Sequence, residues 1–165
     1  MHIAYSSDNY VVDFIKESDE HSNLKIQSLI VRRSYSDDGK DFKYSLKLLE
    51  KKCEHKWLYH VTEDTNIESI KKNGLIPNVG TLYINHWLAF IDDEHFNEIR
   101  DNLVPGVFLS IGQPISERWY GLSLCKINID DLEKEFLYVD DSLEDSLIYL
   151  KTIAPENIQI ASFSP

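Results

Sequence analysis

The histidines His2, His21, His55, His60, His86 and His95 are the first candidates for chemistry, as metal ligands or as acid-base groups. Their spacing argues against metal. None forms HxxxH or HExxH, and none stands with a cysteine at zinc-site spacing. Cys53 and His55 are two apart and would share a face on a strand, yet no second pair matches them. Ser123, in Gly121-Leu122-Ser123-Leu124, lacks the second glycine that a GxSxG nucleophile elbow needs. The glycines are scattered, with neither GxGxxG nor a P-loop. One ordered segment remains: Leu58-Tyr59-His60-Val61-Thr62, a polar stretch, then Ile70-Lys71-Lys72-Asn73-Gly74-Leu75-Ile76-Pro77. It sets a histidine near the end of a short strand, just before a helix. By residue type alone, a histidine there serves structure more often than catalysis.

The elements around that segment follow from local pattern. Residues 57–61 form an aromatic and apolar run that reads as a strand. Thr65-Asn66-Ile67-Glu68 reads as a capping box that opens a helix carrying Ile67 and Ile70 on one face. Gly74 ends the helix in a left-handed conformation, Leu75 packs back on its last turn, and Pro77 forbids continuation. Downstream, residues 87–103 have helical spacing until Pro105-Gly106, and residues 107–110 read as a buried strand. Residues 122–129 form another strand with Cys125, Ile127 and Ile129 on one face, followed by a brief turn at Asp130-Asp131. Residues 136–139, 148–150 and 158–163 supply further short extended runs.

Upstream, residues 1–5 suit a short strand and residues 10–16 one or two helical turns. The apolar run 24–33 and the alternating Phe42, Tyr44, Leu46 and Leu48 predict a hairpin joined through Asp37-Asp38-Gly39-Lys40. Many short strands with few helices make the chain α+β, not a doubly wound parallel fold. A single domain over residues 1–165 is expected. Residues 1–55 form its N-terminal strand, helix and hairpin extension, and residues 56–165 its core.

The order of residues in the His60 segment resembles the first motif of the ADP-ribosyltransferase superfamily, a strand ending in a YHxT-like element, a helix and a GLxP exit. The resemblance is to small bacterial branches near tRNA 2′-phosphotransferases and DNA-modifying ADP-ribosyltransferase toxins. Gly106-Val107-Phe108-Leu109-Ser110 is similar to the following VYLS strand, and Ile153-Ala154-Pro155-Glu156-Asn157-Ile158 to the IPPExI element before the last strand. The match runs from about residue 57 to 160. It implies split antiparallel β-sheets with a few short helices, to which the N-terminal β-hairpin read from residues 24–48 is added.

The resemblance also implies NAD as substrate, cleaved at its nicotinamide–ribose bond through a transition state of oxocarbenium character. His60 would hydrogen-bond the ribose, with Val61 and Thr62 fixing the nearby backbone and Gly74 and Ser110 close to the ligand. Tyr120, or Trp119 in the neighbouring register, would face the nicotinamide. A carboxylate is expected before the IxPExI element. Ser146 stands at the counted position, and Glu144 and Asp145 lie beside it. Three readings stay open: an ADP-ribosyltransferase, an inactive module that binds NAD or ADP-ribose, and an acidic protein that binds a basic partner through charge.

Composition narrows the partners. In 165 residues, 42% hydrophobic and 27% charged, 17 Lys and Arg face 28 Asp and Glu, for a net charge of −11. That balance argues against non-specific nucleic-acid binding and favours a protein acceptor over a nucleic acid. The apolar runs are short of the roughly 20 residues a membrane span requires. With no signal-peptide pattern at the start and no CxxC pair, a cytoplasmic protein with no membrane partner is expected.

Overall fold

Alternation governs the first strands. In the computed structural model, which describes residues 1–21, 23–33, 42–48, 56–79, 91–112, 121–140 and 145–162, Tyr10, Val12 and Phe14 are buried while Val11 between them is exposed. The chain divides into two compact units. Met1–Leu48, Asn78–Pro105 and Val139–Glu144 make the first, and Leu49–Pro77, Gly106–Tyr138 and Asp145–Pro165 the second.

The first unit holds strands β1 (His2–Ser6), β2 (Tyr10–Ser18), β3 (Leu24–Arg33) and β4 (Phe42–Leu48), paired antiparallel in that order. The hairpin predicted from residues 24–48 is the β3–β4 pair, and its turn lies outside the described residues. Residues 10–16, expected as helical turns, are strand instead. Tyr10 and Phe14 fit a helical spacing as well as a strand spacing, and flanking strands on both sides decide between them. Val12 sits opposite Tyr5 and Val31, and Phe14 opposite Ile3 and Leu29.

Among the described residues there are two α-helices, α1 (Ile67–Asn73) and α2 (Asp93–Asn102). The helix expected over 87–103 is α2 over its second half, and Trp87 and Phe90 lie outside the described residues. Ile99 of α2, with Ile91 and Leu103 beside the helix, joins Tyr10, Val12, Phe14, Leu29 and Val31 in one apolar cluster. Each such side chain contributes roughly 1.5–3 kcal/mol on full burial. Polar contacts fix the helix at both ends. Asp92 is its N-cap, accepting from the His95 N–H at 3.1 Å and from the Tyr10 hydroxyl at 3.0 Å. At the other end, Lys16 Nζ donates to the Asn102 carbonyl at 3.0 Å, where a cation suits the helix dipole.

The second unit holds β5 (Trp57–Glu63), β6 (Val107–Ser110), β7 (Leu122–Asn128), β9 (Ser146–Tyr149) and β10 (Ile158–Ser162), together with the start of β8 (Leu137–Asp140). Their order is β8-β9-β6-β5-β7-β10, with antiparallel register along β9-β6-β5-β7-β10. The architecture is thus α+β, with antiparallel strands and few short helices. Ile129, expected at the end of β7, begins a 3-10 turn (Ile129–Asp131) because the Asn128 side chain accepts from the Asp130 N–H and bends the chain. Among the described residues no helix is long and apolar enough to cross a membrane.

Candidate functional site

His60 lies on β5, the strand flanked by β6 and β7. On the β7 side all of β5 is in register, from Trp57 opposite Asn128 to Glu63 opposite Leu122. On the β6 side the register comes down to Tyr59 opposite Ser110. Where the backbone rungs end, the imidazole of His60 crosses instead, Nδ1 lying 2.7 Å from the Phe108 carbonyl oxygen. A carbonyl only accepts, so Nδ1 carries the proton and the neutral ring presents a lone pair at Nε2. Nε2 has no hydrogen-bond partner among the described residues. Burial pushes the His60 pKa below the usual histidine value, and the bond to Phe108 opposes that only in part. The ring is therefore neutral at pH 7, an acceptor on a partly buried strand.

Period-two geometry puts Leu58, His60 and Thr62 on one face of β5, opposite Ile127, Cys125 and Ser123 of β7. Thr62 and Ser123 are buried polar residues and both are satisfied. Asn66 Nδ2 donates to Thr62 Oγ1 at 3.1 Å, and the Ser123 hydroxyl donates to the Asp64 carboxylate. The Asp64 N–H is bound to the Gly121 carbonyl at 2.8 Å. This polar cluster locks the turn after β5. It also corrects the expected cap: residues 64–66 form a 3-10 turn continuous with α1, so Thr65 is not the N-cap and its hydroxyl lies 3.4 Å from Glu63. The position before α1 is Asn66, whose amide is used on Thr62.

Gly74 closes α1 with the expected positive φ, +78°, but its ψ of −167° lies outside the left-handed helical region expected of it. A Cβ there would lie 2.0 Å from the Ile153 carbonyl oxygen, so the position demands glycine for close approach as well as for φ. Just beyond it, Leu75 and Ile153 exchange both backbone bonds, at 3.0 and 2.9 Å. The Gly74–Pro77 stretch and the Ile153–Ile158 stretch, far apart in sequence, are thus bonded to each other.

Ser110 stands between Tyr59 and Ser146 in a row across β5, β6 and β9. Its hydroxyl is directed at the carbonyls of Tyr59 and Gly112, at 3.4 and 3.2 Å. Asp145 immediately precedes β9, exposed, with φ +62°, and its carbonyl accepts from the Ile111 N–H at 2.8 Å. Trp119, Tyr120 and Glu144 lie outside the described residues. Among the described residues no group of three or more His, Cys, Asp or Glu could hold a metal ion.

Comparison with protein-family models, with curated proteins and with solved structures finds no match for this chain.

Of the sequence candidates, His60, Val61, Thr62, Gly74, Ser110 and Asp145 all fall in the second unit. His60 and Ser110 are tied to the β5–β6 junction, whereas Gly74 is committed to Ile153. The partner of His60 and the pair that locks the turn after Thr62 were not legible. The Phe108 carbonyl is backbone and has no residue signature. Asp64 and Ser123 meet only through the β5–β7 register, although the polar run after Thr62 marked the place where such a cluster could form.

Proposed function

We propose that this protein binds NAD at His60 and transfers its ADP-ribose to a macromolecular acceptor, a protein rather than a nucleic acid. One observation carries the reading: His60 commits its Nδ1 proton to Phe108 and leaves Nε2 as an acceptor, the form that takes a hydrogen bond from a ribose hydroxyl. The joining of Leu75 to Ile153 and of Tyr59 to Ser110 supports it, because it brings the three resembling stretches into one unit. In the reaction the bond between ribose C1′ and the nicotinamide nitrogen breaks, and the electron pair leaves with nicotinamide. A nucleophile of the acceptor bonds to C1′ and releases its proton. Positive charge grows on the ribose, and a carboxylate near it lowers the barrier. Asp145 or Glu144 would supply that carboxylate, and Tyr120 or Trp119 the surface for the nicotinamide. The acceptor preference rests on the net charge of −11, which repels a polyanion.

The test is incubation with adenylate-labelled NAD in a cell lysate beside a His60→Ala control. Labelled macromolecule with the native protein alone is expected. Absence of NAD, NADP and ADP-ribose binding at millimolar concentration by calorimetry would overturn the proposal.

A second reading has its own observation. Ser146, where the resemblance calls for an acid, is the first residue of β9 and stands in register with Ser110. A module that binds the ligand would fit, and it would release no nicotinamide even with an optimal acceptor, with Glu144→Ala and Asp145→Ala both without effect.

A further inference from the structure

β1 ends its row of strands, with β2 on one side. The bonds from Lys16 N–H to the Met1 carbonyl and from Ser7 N–H to the Tyr10 carbonyl, both 2.9 Å, fix the phase of the β1–β2 ladder. Hydrogen-bonded and non-hydrogen-bonded pairs alternate along an antiparallel ladder. Met1, Ile3, Tyr5 and Ser7 therefore turn their backbone groups toward β2, and His2, Ala4 and Ser6 turn theirs outward. These three residues are exposed, and among the described residues their outward N–H and C=O groups have no partner. Natural sheets guard such an edge with lysine, proline, a bulge or an inward-pointing charge. The sequence His-Ile-Ala-Tyr-Ser has none of these, and its register with β2 runs without a shift.

We propose that β1 is a self-association edge, taken up by β1 of a second copy of this chain, antiparallel and with Ala4 opposite Ala4 on a two-fold axis. The inference is independent of any ligand at His60. Centring on Ala4 sets His2 opposite Ser6, so every outward-facing residue meets another and each pairing is a hydrogen-bonded one. The same register puts Ile3 opposite Tyr5 at the closer, non-hydrogen-bonded position. Both are partly buried against the cluster of Tyr10, Val12 and Phe14, so the apolar face continues across the axis through two aromatic–β-branched pairs. Charge also permits it. His2 is already tied to Asp13 at 2.5 Å and meets a serine, and the axis itself carries the small side chain of Ala4.

The test is sedimentation equilibrium of the whole chain from micromolar to millimolar concentration. The mass should rise from one chain to two and stop there. Added salt should strengthen the pairing, because each copy carries a net charge of −11 and screening weakens their repulsion. Ala4→Pro deletes an outward N–H and spares the β1–β2 bonds, and it should hold the protein at one chain. Ala4→Lys, which sets like charges across the axis, should do the same and serves if the proline variant loses its circular dichroism. Amide exchange at His2, Ala4 and Ser6 should slow as concentration rises. A single-chain mass at every concentration overturns the proposal. So does a pair that survives both variants, or growth past two chains, which would mean an open edge-to-edge arrangement.

Discussion

The imidazole of His60 and the carbonyl of Phe108 are joined at 2.7 Å across the β5–β6 junction, where the backbone ladder gives out. A side chain thereby holds two strands together and is fixed in one tautomer by the strand it holds. Orientation and protonation state come from the same contact.

A pH dependence follows from His60. Burial lowers its pKa in the folded chain, so the unfolded chain takes up a proton near 6.5 while the folded ring does not. The unfolded state then binds more protons, and stability falls as pH drops through 6.5 toward the lower folded pKa. Urea midpoints measured from about pH 7.5 to about pH 5 should decline in the native chain, and His60→Asn should reduce that decline. Ligand binding through Nε2 should hold through that window and fade only at lower pH, where the folded ring itself takes up a proton and Nε2 no longer accepts.

Gly74→Ala should be strongly destabilising. The new Cβ would meet the Ile153 oxygen at 2.0 Å, and φ +78° is strained for alanine. A loss of about 2 kcal/mol or more is expected, read as a lower urea midpoint at unchanged slope. Ile76→Ala, at a side chain 58% exposed, should be near neutral and serves as the control.

These positions also mark what the sequence could reveal. Gly74 was legible because a glycine at a helix end, upstream of Pro77, has a local cause, a positive φ. The β3–β4 pair was legible because alternation is local too. Residues 10–16 were not, since the same apolar residues suit two periods and only pairing with β1 and β3 selects one. Thr65 misled for a related reason: its box is a local signature, but the chain enters a 3-10 turn at Asp64, so the extended residue in the cap position is Glu63 and Thr65 lies inside the turn. At the site, His60 could be singled out by its neighbours in sequence, whereas Phe108 contributes only a carbonyl that the fold delivers.

Asp92 links α2 to β2. Hydrogen bonds, first from the His95 side chain and then from its N–H, hold its pKa down to about 2. Its contribution to stability is full above the ordinary carboxyl value of 3.8 and disappears as pH falls to about 2. Asp92→Ala should therefore lower the urea midpoint at neutral pH, and the gap to the native chain should shrink as the solution is acidified below 3.8.

Cys125, opposite His60 and fully buried, has its thiol pushed up to about 11 by burial. It should resist thiol reagents at about pH 8, because the thiolate is the reactive form. In a Cys53→Ser background, labelling of Cys125 should occur at the rate of unfolding and accelerate with urea. Fast labelling without denaturant would show that the face carrying His60 opens in the native state.

Asp145 separates strain from chemistry. Its φ of +62° costs a non-glycine residue about 1 kcal/mol or more, although aspartate tolerates this region better than most. Asp145→Gly should keep the Ile111 bond to its carbonyl and raise stability by up to about 1 kcal/mol. Asp145→Asn should leave the urea midpoint nearly unchanged, since asparagine shares both shape and tolerance. If Asp145 provides the carboxylate opposite the developing ribose charge, both variants should lose nicotinamide release while still binding NAD. Full release with Asp145→Asn would remove Asp145 from the chemistry and leave Glu144 as the candidate carboxylate.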